Sequence, residues 1–212
     1  MGAIALLSAL LLTLAAAPAS AQRDVIIGTA SPLSGPGAHQ GKDIENGARM
    51  AIDELNAKGI VLDGQKVRWR LMAEDDASDP KTGTAVAQKL VDARVAAVVG
   101  HLNSGPTVPA SKIYASAGVP QISPAATTPV YTRQGYKTAF RVVADDSLIG
   151  RTLAGHALVA LKAKRIAVID DRTAFGQGLA DEFLKEVRKR GGATILSRQF
   201  THGKAAQFSA IL

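Results

Sequence analysis

Two short stretches carry hydroxyls and backbone polar groups at spacings suited to a small charged molecule. The first is Asn103-Ser104-Gly105-Pro106, which follows the apolar run 95–99 and Gly100. The second is Ser123-Pro124-Ala125-Ala126-Thr127-Thr128, which follows the apolar run 119–122. Each reads as a strand end passing into a turn, and in open α/β sheets such carboxyl ends are where ligands sit. Ser104 precedes a helix expected to open at Gly105–Pro106, with Pro109 following closely. Unpaired N–H groups in a first helical turn favour an anion. Ala125-Ala126-Thr127 offers carbonyls, an N–H and a hydroxyl with no bulky side chain, and donors beside acceptors suit a zwitterion. Two capping residues without a ligand are the other reading of the same spacing.

Other combinations are weaker. Gly35-Pro36-Gly37-Ala38-His39-Gln40-Gly41 has the spacing G-x-G-x-x-x-G, and the next acidic residues, Glu74 and Asp75, come too late for a dinucleotide loop. A plain turn and helix entry is the better reading. His101 and Ser104 lack a G-x-S-x-G elbow and a third partner, so catalysis is not expected and His101 reads as a structural residue. Glu74-Asp75-Asp76 lacks the alternation of a calcium loop and reads as a solvated loop leading to a helix cap. Lys185, Arg188, Lys189 and Arg190 fall in the last turns of a helix, where they complement its dipole. No metal, cofactor or nucleic-acid site is indicated.

The elements that must position the two turns alternate between strands and helices. Strands are expected at 25–30, 67–72, 95–99, 119–122, 139–143, 165–169 and 193–200. Helices are expected at 42–56, from Pro80 with Asp79 as N-cap, from Gly105, from Asp145-Asp146-Ser147 to about Leu161, at 176–190, and from Lys204. Alternation of this kind predicts an α/β fold of parallel sheets flanked by helices, joined by right-handed crossovers. Residues 138–147 read as the crossover between two such units.

The chain has 212 residues, a formal net charge of +7, 47% hydrophobic residues and no cysteine. That length suffices for one full domain or two small ones, whose stability must come from a core rather than disulfides. The charge is dispersed and aromatics are few, which argues against nucleic acid as a partner. Residues 1–21 are apolar and rich in Leu and Ala, and end in Ala19-Ser20-Ala21, the pattern of a cleaved export signal. The mature chain is then expected to start near Gln22.

Several of these segments carry a resemblance. Gly100-His101-Leu102-Asn103-Ser104, Pro109-Ala110-Ser111-Lys112-Ile113-Tyr114 and Ser123-Pro124-Ala125-Ala126-Thr127 resemble the leucine/isoleucine/valine-binding proteins of bacterial ABC transporters. So do residues 27–41, Asp75-Asp76-Ala77-Ser78-Asp79-Pro80-Lys81 and Phe175-Gly176-Gln177-Gly178-Leu179-Ala180. The resemblance implies a type I periplasmic binding fold, a non-enzymatic role, and a monomer that holds an amino acid between two hinged lobes and delivers it to an ABC permease. The lobes would be residues 24–143 and 144–212, the second incomplete. By position, Ser104 would take the ligand carboxylate, with Thr127 holding it from the second turn by N–H and hydroxyl. The Ala125 carbonyl would accept from the ammonium, Ala126 would lie between, and Phe175 would reach in from the second lobe where relatives often carry Tyr. Gln40 stands at an aromatic pocket-wall position of some relatives, and Ser78 and Asn103 stand where some have a disulfide.

Family members continue well past Leu212, through the part that carries the acidic partner of the ligand ammonium. A truncated or split binding protein with weak or no ligand binding is therefore expected. Charge-assisted hydrogen bonds net about 1.5–3 kcal/mol each, against about 8 kcal/mol for micromolar affinity. A binder of amide- or urea-type ligands and an extracellular sensing domain of a receptor or regulator are the alternative functions.

Overall fold

A computed structural model describes residues 22–200. The expected export signal and the helix expected from Lys204 lie outside the described residues. Among the described residues, eight strands form two sheets. β1 (Arg23–Ser31), β2 (Val61–Leu62), β3 (Gln65–Asp75), β4 (Ala97–Gly100), β5 (Gln121–Ser123) and β6 (Ala139–Arg141) make one sheet in the order β2-β3-β1-β4-β5-β6. β7 (Arg165–Asp170) and β8 (Thr194–Phe200) make the other. All pairings are parallel except β2 on β3. The helices are α1 (Ala38–Lys58), α2 (Pro80–Asp92), α3 (Ser104–Ser116), α4 (Pro129–Arg133), α5 (Asp146–Gly155) and α6 (Ala174–Arg190). A π-helical turn, His156–Ala160, extends α5.

The core of the larger sheet explains why the strands stop where they do. Ala30, Val86, Ala87, Leu90, Val98, Ala110 and Tyr114 form one buried cluster, which seats α2 and α3 against β1 and β4. α2 starts as expected: Pro80 opens it and the Asp79 carboxylate accepts from the Thr82 amide. β4 begins two residues later than its apolar run, because Val95 packs into the core before the strand pairs. It ends at Gly100, whose φ of 139° and an ideal Cβ only 2.2 Å from the Ala30 carbonyl oxygen leave room for glycine alone. This close approach sets His101 and Ser104 at the sheet's carboxyl edge.

α1 starts a turn before the expected Lys42 and ends at the left-handed Gly59. Its first turn carries the exposed His39 and Gln40, so no apolar periodicity marks it. β3 runs on to Asp75, beyond the expected Met72. Two elements were not anticipated. Asp63-Gly64, both with positive φ, turns β2 into β3 in the manner of a tight hairpin. α4 is a five-residue helix begun by Pro129. The two sheets are joined through β6 and α5, within the segment expected to cross between units. α6 crosses from β7 to β8, over a core of Ala154, Ile166 and Val187.

Candidate functional site

The two turns lie side by side. β4 and β5 are neighbours in the sheet, with Val99 opposite Ile122, so their carboxyl ends emerge together. The Ser104 hydroxyl, nearly fully buried, accepts from the Thr128 amide at 3.4 Å and ties the first turn to the second. Ser104 is the first residue of α3, rather than the residue before it, and Asn103 is the N-cap with no side-chain cap bond. Pro106 has no N–H to offer, and the Thr107 amide returns to the Asn103 carbonyl. The α3 entry therefore presents the Ser104 and Gly105 amides, which a helix's own first turn leaves unpaired.

The second turn is held by Ser123. Its hydroxyl donates to the His101 carbonyl at 2.7 Å and accepts from the Ala126 amide at 2.9 Å. The Ala125 amide approaches the same hydroxyl at 3.4 Å. Ser123 is thus the strut between the two turns, a role its place in the motif did not announce. The Thr107 hydroxyl donates to the Asn103 carbonyl at 2.7 Å and lies 3.3 Å from the His101 carbonyl. Ala125 and Thr127 are half-buried and Ala126 is buried. The Thr127 hydroxyl is turned away from solvent and makes no hydrogen bond. The Thr127 carbonyl accepts from the Asp146 amide at 2.9 Å, which fastens the turn to the start of α5. Arg141 adds a bond from its guanidinium to the Thr128 carbonyl at 3.0 Å.

Beneath the turns lies a buried polar chain. Asp76 is fully buried, and its carboxylate meets His101 Nδ1 at 2.7 Å and accepts from the Ser78 amide at 2.9 Å. His101 Nε2 meets the Tyr114 hydroxyl at 3.2 Å. Burial, with the Asp76 charge beside it, pushes the Tyr114 hydroxyl pKa far up, so it stays protonated. Both His101 nitrogens are occupied in this way, and Ser104 is not their partner. His101 is structural, as expected.

The expected solvated loop at Glu74–Asp76 is not found. Glu74 and Asp75 lie on β3, and Asp76 is part of the core because His101 supplies the partner a buried carboxylate requires. Burial raises the Asp75 pKa, but the Ser34 hydroxyl and the Leu33 and Ala77 amides outweigh it and hold the carboxyl below its usual range. Leu33 and Ala77 both donate to Asp75 Oδ1 at 2.8 Å, which pins the loop after β1 to the end of β3. The Ser78 hydroxyl donates to the Asn103 side-chain carbonyl at 3.0 Å.

Phe175 stands apart from the turns. It sits in the first turn of α6, 43% exposed, and lines an apolar groove with Leu153, Ile169, Leu179 and Phe183. That groove shares no lining residue with Ser104 or with 125–127. A second crevice does adjoin them: Thr128, Pro129, Val130 and Arg133 face Gly178, Asp181 and Glu182 of α6. Gln40 is exposed on α1. Among the described residues no cluster of His, Asp or Glu could hold a metal ion, and no helix is long and apolar enough to cross a membrane.

The turn pair can therefore offer amides, a hydroxyl and carbonyls to a small ligand, with no nucleophile–base pair and no charge of its own. Comparison with known proteins gives this geometry a context. Residues 24–212 match the family model of periplasmic binding proteins. The chain is 41% identical over 193 residues to a Leu/Ile/Val-binding protein homolog of Brucella abortus, covering 91% of this chain and 51% of that protein. It is 39% identical over 189 residues to the leucine-specific-binding protein of Salmonella typhimurium, covering 89% and 50%. Among solved structures, a leucine-binding protein of Thermotoga maritima superposes with a TM-score of 0.77 at 29% identity, over 88% of this chain and 51% of that one. A branched-chain amino acid transporter substrate-binding protein of Streptococcus pneumoniae, in complex with isoleucine, superposes with a TM-score of 0.76 at 29% identity, over 89% and 53%. The chain spans about half the length of the relatives it matches.

Proposed function

The chain belongs to the periplasmic binding protein family, and from that premise we propose that it is the ligand-holding portion of an ABC importer's exported solute-binding protein, with a branched-chain amino acid as its ligand. The observation that carries this reading is the pairing of the two turns. Ser104 at the entry of α3 and the Ala125–Thr127 turn lie together at the carboxyl ends of adjacent strands, tied by the Ser104–Thr128 bond. The Ser104 group and the Thr127 amide take the carboxylate, the Ala125 carbonyl accepts from the ammonium, and Ala126 keeps the floor small. Phe175, which stands apart from the turns, joins the site only as the lobes close. Residues 24–143 act as one lobe and 144–212 as part of the other, with closure between them presenting the loaded form to a permease in the periplasm.

This arrangement holds an amino acid weakly by itself. The turns themselves supply only neutral donors and acceptors. A few hydrogen bonds to the ligand's charged ends, about 1.5–3 kcal/mol each before the ordering costs of association, fall short of the roughly 8 kcal/mol of micromolar binding. Calorimetry with leucine, isoleucine, valine and small aliphatic amides tests the reading. The expected result is heat from the amino acids alone, with affinity weaker than micromolar. Preference for the amides would overturn the zwitterion assignment, and sub-micromolar affinity would overturn the claim of weak binding.

A further inference from the structure

Asp146 is the side chain the fold leaves least accounted for. It was expected to share in capping α5, but Asp145 alone does so, accepting from the Leu148 amide. Asp146 is fully buried, and neither carboxyl oxygen has a hydrogen-bond partner. The buried Thr127 hydroxyl is likewise unpartnered. The two residues are already joined through the Asp146 amide and the Thr127 carbonyl at 2.9 Å. A pair of orphaned groups on residues so linked satisfies both if they bond to each other.

We propose that Asp146 is a positioning residue for the amino-acid site: its carboxyl engages the Thr127 hydroxyl while its amide holds the Thr127 carbonyl, so the ligand-holding turn is fixed to the α5–α6 pair. This rests on the assignment of the turn as that site. The surroundings favour the neutral carboxyl. Burial raises its pKa, Asp145 and Glu182 push the same way, and the Thr127 hydroxyl and Arg141 only partly oppose them. Arg141 spends its hydrogen bonds on Thr128, Val143 and Thr132. A neutral carboxyl has one O–H to give, and Thr127 Oγ1 can accept it while keeping its own proton for another acceptor. An ionised one could only accept, so it would draw the Thr127 proton inward and set a negative charge beside a site for a carboxylate.

Two close approaches carry the grip across to the second sheet. An ideal Cβ on Gly178 of α6 would lie 3.2 Å from Asp146 Oδ2. One on Gly150 of α5 would lie 2.7 Å from the Phe183 amide nitrogen, so α5 and α6 touch backbone to backbone. A shift of α6 is thereby felt at Thr127.

The test uses the full chain with Asp146→Asn, Asp146→Ala and Thr127→Val. A carboxyl raised in the native state stays protonated there after the unfolded chain has ionised, so stability falls as pH rises from the unfolded value, near 3.9, to the native one. The wild type is expected to show this loss relative to Asp146→Asn, which keeps a neutral donor. Asp146→Ala and Thr127→Val are expected to be strongly non-additive, the second costing less than half as much once the first is in place. Additive costs, or the same pH dependence in wild type and Asp146→Asn, would overturn the proposal. Leucine-induced NMR shifts at the Thr127 amide separate this from the site assignment. They are expected in wild type and Asp146→Asn and reduced at least threefold in Asp146→Ala. Coupling without any leucine response in wild type would make the pair a fold latch, ending its positioning role and the site assignment together.

Discussion

Truncating Asp76 to alanine should unfold the chain at much lower denaturant, because it removes the centre of the buried polar chain under the two turns. Its carboxylate serves His101 Nδ1 at 2.7 Å and the Ser78 amide at 2.9 Å, and both Asp76 and His101 are fully buried. Ser78 is exposed, so its amide recovers water in the variant. His101 cannot recover it. The ring nitrogen is left in the core with no acceptor, and breaking a buried pair by removing one partner costs about 3–5 kcal/mol. Against a total stability of about 5–15 kcal/mol, that is a large fraction. With a urea slope of about 1–3 kcal/mol per molar, the midpoint should fall by about 1–5 M. Asp76→Asn retains an acceptor and should cost about half as much. Urea unfolding followed by circular dichroism, with the slope checked for constancy, measures both. A cost below about 1 kcal/mol for Asp76→Ala, the size of an ordinary surface change, would refute the idea that this chain supports the turns.

Ser123→Ala should destabilise by about 1–3 kcal/mol, because the Ala126 amide loses its acceptor and the His101 carbonyl one donor; faster hydrogen exchange at Ala126 is the specific readout. Gly100→Ala should abolish folding or shift it severely, since the new methyl would meet the Ala30 carbonyl at 2.2 Å; thermal melts decide. For acid sensitivity, Asp75 and Asp170 have native pKa values below the usual carboxylate range. Burial opposes this at both, and is outweighed at Asp170 by the Arg172 amide and Arg198. A depressed native pKa contributes stability above the unfolded value that is lost as pH falls through the native one. Asp75→Asn should therefore flatten the decline of stability with acid below about pH 4, as a series of melts would show.

Much of the architecture was legible because its signals are local. The Asp79-Pro80 start of α2 needs only the capping geometry of its own residues, and Gly59 marks the end of α1 by a left-handed turn that few other residues adopt. The two turns were legible as strand ends. What escaped depends on partners distant in sequence. Asp76 reads as solvated until His101, 25 residues on, supplies its contact. Asp146 reads as half of a cap because Thr127, the group beside it, belongs to another element. Ser123 shows its bridging role only when β4 and β5 are side by side. The early start of α1 carries exposed polar residues, so periodicity could not find it, and α4 is too short to show any.

The apolar surface follows the same logic. Val142 is 71% exposed and Leu161 67%. They flank β6 and β7, strands that each have one neighbour among the described residues. Periodicity places apolar residues on strands and helices correctly, and says nothing about whether a second layer covers them.

The most direct test of the central claim is a two-dimensional NMR titration of the isotopically labelled chain with leucine. Because weak binding is expected, the series should extend to about 10 mM, beyond the millimolar range where about 4 kcal/mol of binding energy remains. The expected result is saturable shifts concentrated at the amides of Ser104, Gly105, Ala126, Thr127 and Thr128, absent with an uncharged aliphatic amide. No shift at these amides, or shifts confined to the apolar groove around Phe175, would contradict the assignment of the two turns as the amino-acid site.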